Sequence, residues 1–484
     1  MKQNWNRSEL RECWTLNTQE MKMVQAKSGK TRLGFAVLLK YFLYAKKFPE
    51  AEELIALSVL KFLACQLGKD ELTFYHYDFT AETAKLHRRQ VRLHCGFRTP
   101  TAQDAQNLTD WLTAEILPIK NYNPRTIRTM VYNYFQERKI EPFSIKQINR
   151  FINSASQEFE RHLFEKISSR LTESQKAALD VLVKKREDNN QTEELSFFDL
   201  KQGPGKASLN TILIETQKLK KLREIGTSPD LFSGISAQII KQYSLRTEAE
   251  TPKEIRSHLP SKRHALLAIY SHNRSMQITD DLIDIFNKLI HKVRTKSERS
   301  VREQLLPELT KVNGKPTFLL KIAQATTKQP AGVVEEVIFP IVSQELLQRI
   351  IAEDEAQGNY QTRVHKAMSS SYKRHYRRML KPVLEVLELC CNNPTHQPIL
   401  KGLQIIKQHL DSKSAYYPEE CIFPIKDIMS EAEENIIQDN SGKIKRLDYE
   451  MVVLEILRRH LRCKNIWSPG ADRYRNPDED LYSC

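Results

Sequence analysis

The chain has 484 residues, of which 75 are Lys or Arg and 60 are Asp or Glu, for a formal charge of +15. Hydrophobic residues make up 40% of it and glycines number only 14, which excludes a disordered or collagen-like chain. This length exceeds one compact core, and we expect about three or four domains.

The positive charge favours a polyanionic partner, because each Lys or Arg docked on a phosphate releases condensed counterions. Charge alone does not separate DNA from RNA or from an acidic membrane surface. The amino terminus lacks the apolar core of a signal peptide, and the longest apolar run, 33–43, is too short to span a bilayer. The eight cysteines form no Cys-x-x-Cys unit, so no disulfide framework or zinc site is predicted. We expect a cytoplasmic protein without membrane contact.

Helical periodicity and capping signals predict an all-α fold, or nearly so. A helix is predicted at 50–67, ending at Gly68. Further helix starts are predicted at Thr99-Pro100 and Asn123-Pro124, at the capping boxes that begin with Thr172 and Thr251, and at Thr279, ahead of a long helix from Asp280.

Strand signals are few. Residues 436–444 could form a small hairpin around an Asn-Ser-Gly turn, and 333–342 is predicted to be a buried connection. Linkers are predicted at 185–194, 202–205 and 392–395. We place domain boundaries near 115, 195 and 390, which gives the segments 1–115, 116–195, 196–390 and 391–484.

The helix predicted at 80–95 is the first candidate for a DNA contact. Four cations fall at i, i+3, i+4 and i+7 of one face: Lys85, Arg88, Arg89 and Arg92. Ala84, Val91 and Cys95 form a separate stripe that can pack inward. A basic face opposite an apolar one suits a helix laid in or across a DNA groove. A solvated helix surface is the alternative.

Residues 361–381 form a denser basic segment, with seven Lys or Arg and no acid. A continuous helix would align four side chains, Lys366, Ser370, Lys373 and Arg377, with Arg374 and Arg378 beside them. Like charges at this spacing repel by roughly a few tenths of a kcal/mol per pair, so the helix gains from a polyanion. Ser369, Ser370 and Ser371 can donate neutral hydrogen bonds to phosphate, whereas Tyr372 and Tyr376 are more often core residues at this spacing. We predict a DNA contact here, with a solvated surface as the alternative.

Three other groups of cations are less specific. Glu298 and Glu303 can form ion pairs within the basic run 288–302, so a solvated face is predicted there. A solvated face is likewise predicted for the cations at 218–223. Arg125 and Arg128 lie in the first turns of their helix, whose free amides can also bind phosphate. They join the predicted DNA-binding residues.

Motifs for catalysis or metal binding are weak. Gln202-Gly-Pro-Gly-Lys206 lacks the ending of a phosphate loop, so a surface turn is predicted. His87 and His94 lie about 10 Å apart along a helix axis, too far to share one ion. The acidic cluster at 280–284 fits the start of a helix better than a metal site. The residues alone therefore indicate a binding protein.

Several blocks nevertheless resemble, in the same order, the amino-terminal half of transposases of the replicative Tn3 family. They include Thr31-Arg-Leu-Gly-Phe-Ala-Val37, His94-Cys-Gly-Phe-Arg98, His375-Tyr-Arg-Arg-Met-Leu380, Asn392-Asn-Pro-Thr-His396 and Gly470-Ala-Asp-Arg-Tyr-Arg-Asn-Pro-Asp-Glu-Asp-Leu481. The resemblance implies helical, helix-turn-helix-like domains that bind the terminal inverted repeats of a transposon and help to form a dimer. It makes 1–115 and 116–195 two helical DNA-binding domains, 196–390 helical DNA-binding or dimerisation domains, and 391–484 a connector to the catalytic domain. It places an RNase H-like domain, whose Asp-Asp-Glu triad holds two magnesium ions, beyond residue 484. No catalytic residue, metal ligand or cofactor is therefore assigned in this chain.

The predicted function is sequence-specific binding of double-stranded DNA at transposon ends, without strand transfer by this chain alone. A homodimer, or a heterodimer with an intact transposase, is the expected assembly. Two alternatives stay open: a functional transposase completed by a second polypeptide, and an inactive, decayed remnant.

Overall fold

The computed structural model describes residues 4–49, 55–119, 122–184, 195–309, 315–357 and 360–480. Regular structure in these ranges is helical, and extended pairing in them is limited to isolated bridges. The all-α prediction is therefore confirmed. The chain forms two compact units, Met1–Ser169 with Phe232–Gln242, and Arg170–Leu231 with Tyr243–Cys484. The division at 115, 195 and 390 remains a prediction.

The first unit begins with a core built around one apolar helix. Its helices are α1 (Arg7–Trp14), α2 (Thr18–Gln25), α3 (Arg32–Ala45), α4 (Leu57–Leu67) and α5 (Glu82–Cys95). α3 is buried from Leu33 to Phe42, as predicted for the longest apolar run. Its Lys40 is paired with Glu20 at 3.2 Å, which makes burial of the charge tolerable. α4 ends at Gly68, as predicted, and residues 50–54 of the predicted helix lie outside the described residues.

A second core in the same unit joins α6 (Ala102–Trp111), α7 (Pro124–Glu137) and α8 (Ile145–Arg170). Asn123 caps α7 and Pro124 takes its first position, as predicted. The predicted helix start at Thr99-Pro100 is wrong. Thr101 is the N-cap, because its hydroxyl and the Asp104 carboxylate form a capping box. Arg98 reinforces that box with hydrogen bonds of 2.6 and 2.7 Å to Asp104.

The second unit is assembled around a 50-residue helix, α14. The helices after α8 are α9 (Glu173–Leu182), α10 (Phe197–Lys201), α11 (Leu209–Ile225), α12 (Ala237–Ala249), α13 (Pro252–Ser257), α14 (Pro260–Leu309), α15 (Lys315–Lys328), α16 (Val334–Val337), α17 (Gln344–Gln357), α18 (Tyr360–Ser371), α19 (Leu380–Val386), α20 (Gln397–Gln408), α21 (Ile425–Ile428), α22 (Glu431–Ile437) and α23 (Arg446–Arg462). α11, α18 and α23 all pack against α14. The capping boxes at Thr172 and Thr251 are confirmed.

The predicted helix start at Thr279 is wrong, because α14 runs through this position without a break. The carboxylate of Asp280, buried in the unit, accepts the backbone amides of Arg473 at 3.0 Å and Tyr474 at 3.2 Å. Asp284 accepts the Arg473 guanidinium at 3.0 Å and the Tyr474 hydroxyl at 2.7 Å. Burial raises the pKa of Asp280. These carboxylates thus hold the segment 470–476 against the middle of the long helix, which is a different role from stabilising a helix N-terminus.

Connections between helices differ from the prediction in two places. α22 continues to Ile437, so the hairpin predicted at 436–444 is reduced to a turn closed by a single bridge, Gln438–Ile444. Val333 and Val334 are exposed at the start of α16, so 333–342 is not the predicted buried connection. The loop at 202–205 is confirmed, 392–395 begins as a loop and enters a short 3-10 turn, and 185–194 lies outside the described residues.

Candidate nucleic-acid interface

The basic face predicted on α5 is divided by contacts with the rest of its unit. The Arg92 guanidinium forms a 2.7 Å ion pair with Glu141, and the two side chains are only 14% and 20% exposed. Arg88 lies over the ring of Phe48. Lys85 and Arg89 are exposed, although Lys85 also pairs with Glu82 at 2.6 Å. The exposed face of α5 therefore carries Lys85 and Arg89, whereas Arg92 links the helix to the second core.

The buried side of α5 is positioned by His87. Its Nδ1 lies 2.8 Å from the Tyr77 hydroxyl, and the two rings are stacked. Burial, assisted by the nearby Lys27, lowers the pKa of His87 to about 4, so the imidazole is neutral at pH 7. A neutral, buried ring that bonds and stacks with a tyrosine is a packing residue of this core.

The segment 361–381 departs from a continuous helix at its most basic part. α18 ends at Ser371, a π-turn follows at Tyr372–Tyr376, and a 3-10 turn at Arg377–Met379 leads into α19. Because the π-turn changes the helical register, the predicted face is broken between Lys373 and Arg377. Five of the exposed polar or cationic side chains around it are called here the basic turn: Lys366, Ser370, Lys373, Arg374 and Arg378.

Arg377 points into the second unit instead of into solvent. Its guanidinium forms two 3.0 Å hydrogen bonds with the carboxylate of Glu450, a residue of α23 that is fully buried. The Tyr372 hydroxyl donates to the same carboxylate at 3.0 Å, and burial raises the pKa of Tyr372. The predicted assignment of Arg377 to the same face as Lys373 is therefore corrected, because a buried carboxylate engages its guanidinium.

Ser369 also has a structural contact that the sequence does not predict. It is buried, and its hydroxyl donates to the carboxylate of Asp448. The Ser370 hydroxyl lies on the exposed side and is 3.4 Å from the Arg374 guanidinium. Tyr372 is a core residue, as expected from its spacing. Of the predicted serine donors, Ser370 stands beside exposed cations and Ser369 does not.

An open groove of about 660 Å³ lies between the start of α7 and the first half of α8. Arg128 lines it, and Arg125 is exposed in the first turn of α7, where its amide donates to the Asn123 side chain at 2.8 Å. Lys146 and Arg150 are exposed one turn apart on α8. These two cations are not among the predicted contacts, although their i, i+4 spacing is the same signal that indicates α5 and the basic turn.

The less specific cation groups have structural partners. Arg294 pairs with Glu298 and Arg299 with Glu303, as expected for the run 288–302. The solvated face predicted at 218–223 is wrong for Lys218. Its side chain is buried in a 2.8 Å ion pair with Glu215 and donates to the carbonyl of Gln202. Within the described ranges, no group of three or more His, Cys, Asp or Glu side chains could hold a metal ion. No helix among the described residues is long and apolar enough to cross a membrane.

Comparison with known proteins gives one consistent family. A family defined only as a domain of unknown function, DUF4158, matches residues 1–155. The transposase for transposon Tn1546 of Enterococcus faecium is 23% identical over 97% of this chain and 47% of its own length. Transposases for Tn21 of Escherichia coli and Tn501 of Pseudomonas aeruginosa are 22% and 23% identical over the same shares.

The chain thus spans about half the length of the curated relatives that it matches. The aligned region includes both units of the fold and all the basic surfaces described above. The comparisons therefore confirm the resemblance to the amino-terminal part of Tn3-family transposases.

Proposed function

We propose that this chain binds double-stranded DNA at the terminal inverted repeats of a transposon, as a part of DNA transposition. Phosphate contacts supply most of the affinity, and a smaller number of side chains distinguish the bases. The relatives reported above are all transposases of transposons, which supports the role in transposition.

The basic turn is the observation that carries the proposal. Its exposed cations, Lys373, Arg374 and Arg378, crowd one short segment, where mutual repulsion disfavours the fold unless an anion neutralises them. The Glu450 carboxylate holds the segment in place through Arg377 and Tyr372. A fixed scaffold that presents several unneutralised cations is suited to consecutive phosphates of a DNA strand.

The binding test uses fluorescence anisotropy with two duplexes of equal length and composition, one containing the inverted repeat and one scrambled. We expect tighter binding of the repeat. Replacement of both Lys373 and Arg378 by Ala weakens binding of both duplexes and lowers the salt slope by about 1.8, because each lost phosphate contact contributes about 0.9. The Lys292→Ala, Lys296→Ala double variant removes the same charge from exposed positions of α14 and is the matched control. An equal effect in both double variants would show that net charge, and not the basic turn, determines affinity.

We also propose that this chain alone binds transposon ends without cutting them. The side chains that form its candidate surfaces are cations, amides and hydroxyls, which position DNA but do not assemble a pair of catalytic metal ions. Incubation of the purified chain with magnesium and supercoiled, end-containing plasmid should leave the plasmid uncut. Cleavage under these conditions would instead support an active enzyme, and cleavage only after addition of a second polypeptide would support a two-part transposase.

We further propose that the chain dimerises, either with a second copy of itself or with an intact transposase. Light scattering of the chain with and without end-containing DNA measures it directly, because a dimer doubles the protein mass of the complex.

A further inference from the structure

The polar lining of the groove between α7 and α8 consists mostly of amide and hydroxyl groups, and the charged side chain described in it is Arg128. Its polar lining includes Asn123, Arg128, Asn149, Asn153 and Ser156, and isoleucine side chains of both helices form the apolar part. The sequence contains no Asp or Glu from 116 to 136 or from 142 to 157, the stretches that supply this lining. The stretches that line the groove therefore contain no acidic side chain that would repel a polyanion.

Two asparagines of α8 stand out in this lining. Asn149 and Asn153 are one helical turn apart, so they share a face, and both are accessible to solvent. Among the described residues, no side-chain hydrogen bond engages either amide. An Asn side chain offers a donor and an acceptor together, which matches the N6 donor and N7 acceptor of adenine in the major groove.

The surrounding cations place these amides in a DNA-binding arrangement. Arg125 and Arg128 lie in the first turns of α7, and Lys146 and Arg150 flank the asparagines on α8. In two-helix DNA-binding modules, the first helix crosses the phosphate backbone while the amino-terminal half of the second contacts base edges. The same division here assigns the arginines of α7 to phosphates and the asparagines of α8 to bases.

We propose that Asn149 and Asn153 determine sequence specificity by recognising adenine in the major groove, with the first half of α8 as the recognition helix. This inference rests on the proposed DNA-binding function and deepens it, because it names the bases and the side chains that distinguish them. The neutral amides release no counterions, so they contribute to discrimination between sequences and not to the salt dependence of binding.

The test begins with duplexes selected by the wild-type chain from a library with a randomised centre. The best selected duplex and a shuffled version of it are then bound to wild type, Asn149→Ala and Asn153→Ala. Each variant should lower the preference for the selected duplex by about 5- to 150-fold, the range of one bidentate base contact. Affinity for the shuffled duplex and the salt slope should stay at the wild-type values, which also shows that the variants are folded. The matched control is Asn107→Ala, at an exposed position of α6, which is a helix of the same core, and it should keep the full preference.

A chemical probe assigns the contact to adenine. Replacement of single adenines by 7-deazaadenine removes the N7 acceptor and keeps base pairing. At the contacted position, the wild type should lose at least about fivefold in affinity, and the corresponding Asn→Ala variant should lose nothing further. Wild-type binding with unchanged preference in both variants would overturn the base-recognition assignment alone. Failure of the wild type to bind any duplex would overturn the DNA-binding proposal itself.

Discussion

Removal of the Arg377 side chain separates a structural role from a DNA contact. On a continuous helix Arg377 would align with Lys373 and bind phosphate, whereas the structure directs its guanidinium to Glu450, 73 residues away. The two placements predict opposite results for Arg377→Ala. If Arg377 is structural, stability falls; if it binds phosphate, stability is unchanged and affinity falls.

The magnitude follows from the environment of Glu450. Its side chain is 0% exposed, and Arg377→Ala deletes two charge-assisted hydrogen bonds of 3.0 Å and leaves only the Tyr372 hydroxyl among the bonds described for this carboxylate. Loss of one partner of a buried ion pair costs about 3–5 kcal/mol, because an uncompensated charge stays buried. Lys373→Ala, at an exposed position, should change stability by no more than about 0.5 kcal/mol.

Urea unfolding monitored by hydrogen exchange of the amides at 369–380 provides the assay, because a chain of two units need not unfold in one step. Replacement of both partners, Arg377→Met with Glu450→Leu, should recover most of the lost stability. The double variant should also bind DNA with the wild-type salt slope. If Arg377→Ala keeps full stability and loses about 0.9 of the salt slope, Arg377 contacts phosphate and the structural assignment is wrong.

Three further predictions concern the interiors of the two units. Gly34→Ala places a Cβ 2.3 Å from ring atoms of Tyr77 and should cost at least about 1–3 kcal/mol, measured by urea unfolding, whereas Gly29→Ala has no atom closer than 4.0 Å and should be nearly neutral. The pKa of His87 is about 4 in the folded state and about 6.5 in the unfolded state. The contribution of His87 to the stability of the first unit should therefore be constant above pH 7 and fall by about 2 kcal/mol at pH 5. His87→Gln should abolish this pH dependence, whereas His162→Gln, at an exposed position, should keep it. Asp280→Ala should speed hydrogen exchange at the amides of Arg473 and Tyr474, while Asp411→Ala, which breaks the exposed pair with Lys381, should leave their exchange unchanged.

Local sequence signals were sufficient for much of the helical framework. Asn123-Pro124 and the capping boxes at Thr172 and Thr251 are predicted correctly, because a cap depends on side chains within three residues of the helix start. The start predicted at Thr99 is two residues too early, because the capping box forms between Thr101 and Asp104. Arg98 adds two bonds to the Asp104 carboxylate and so favours Thr101 as the cap.

The sequence by itself determined the all-α class, the likeness to Tn3-family transposases and the segments where cations are dense. Only the tertiary structure decided which of those cations face solvent. Arg92 and Arg377 are engaged by Glu141 and Glu450, carboxylates 49 and 73 residues away. Asp280 likewise accepts the amides of Arg473 and Tyr474, 193 and 194 residues further along the chain, instead of lying at a helix start. Helical spacing specifies a face within one helix, but the free energy of pairing a buried charge depends on contacts between distant segments, which no local pattern contains.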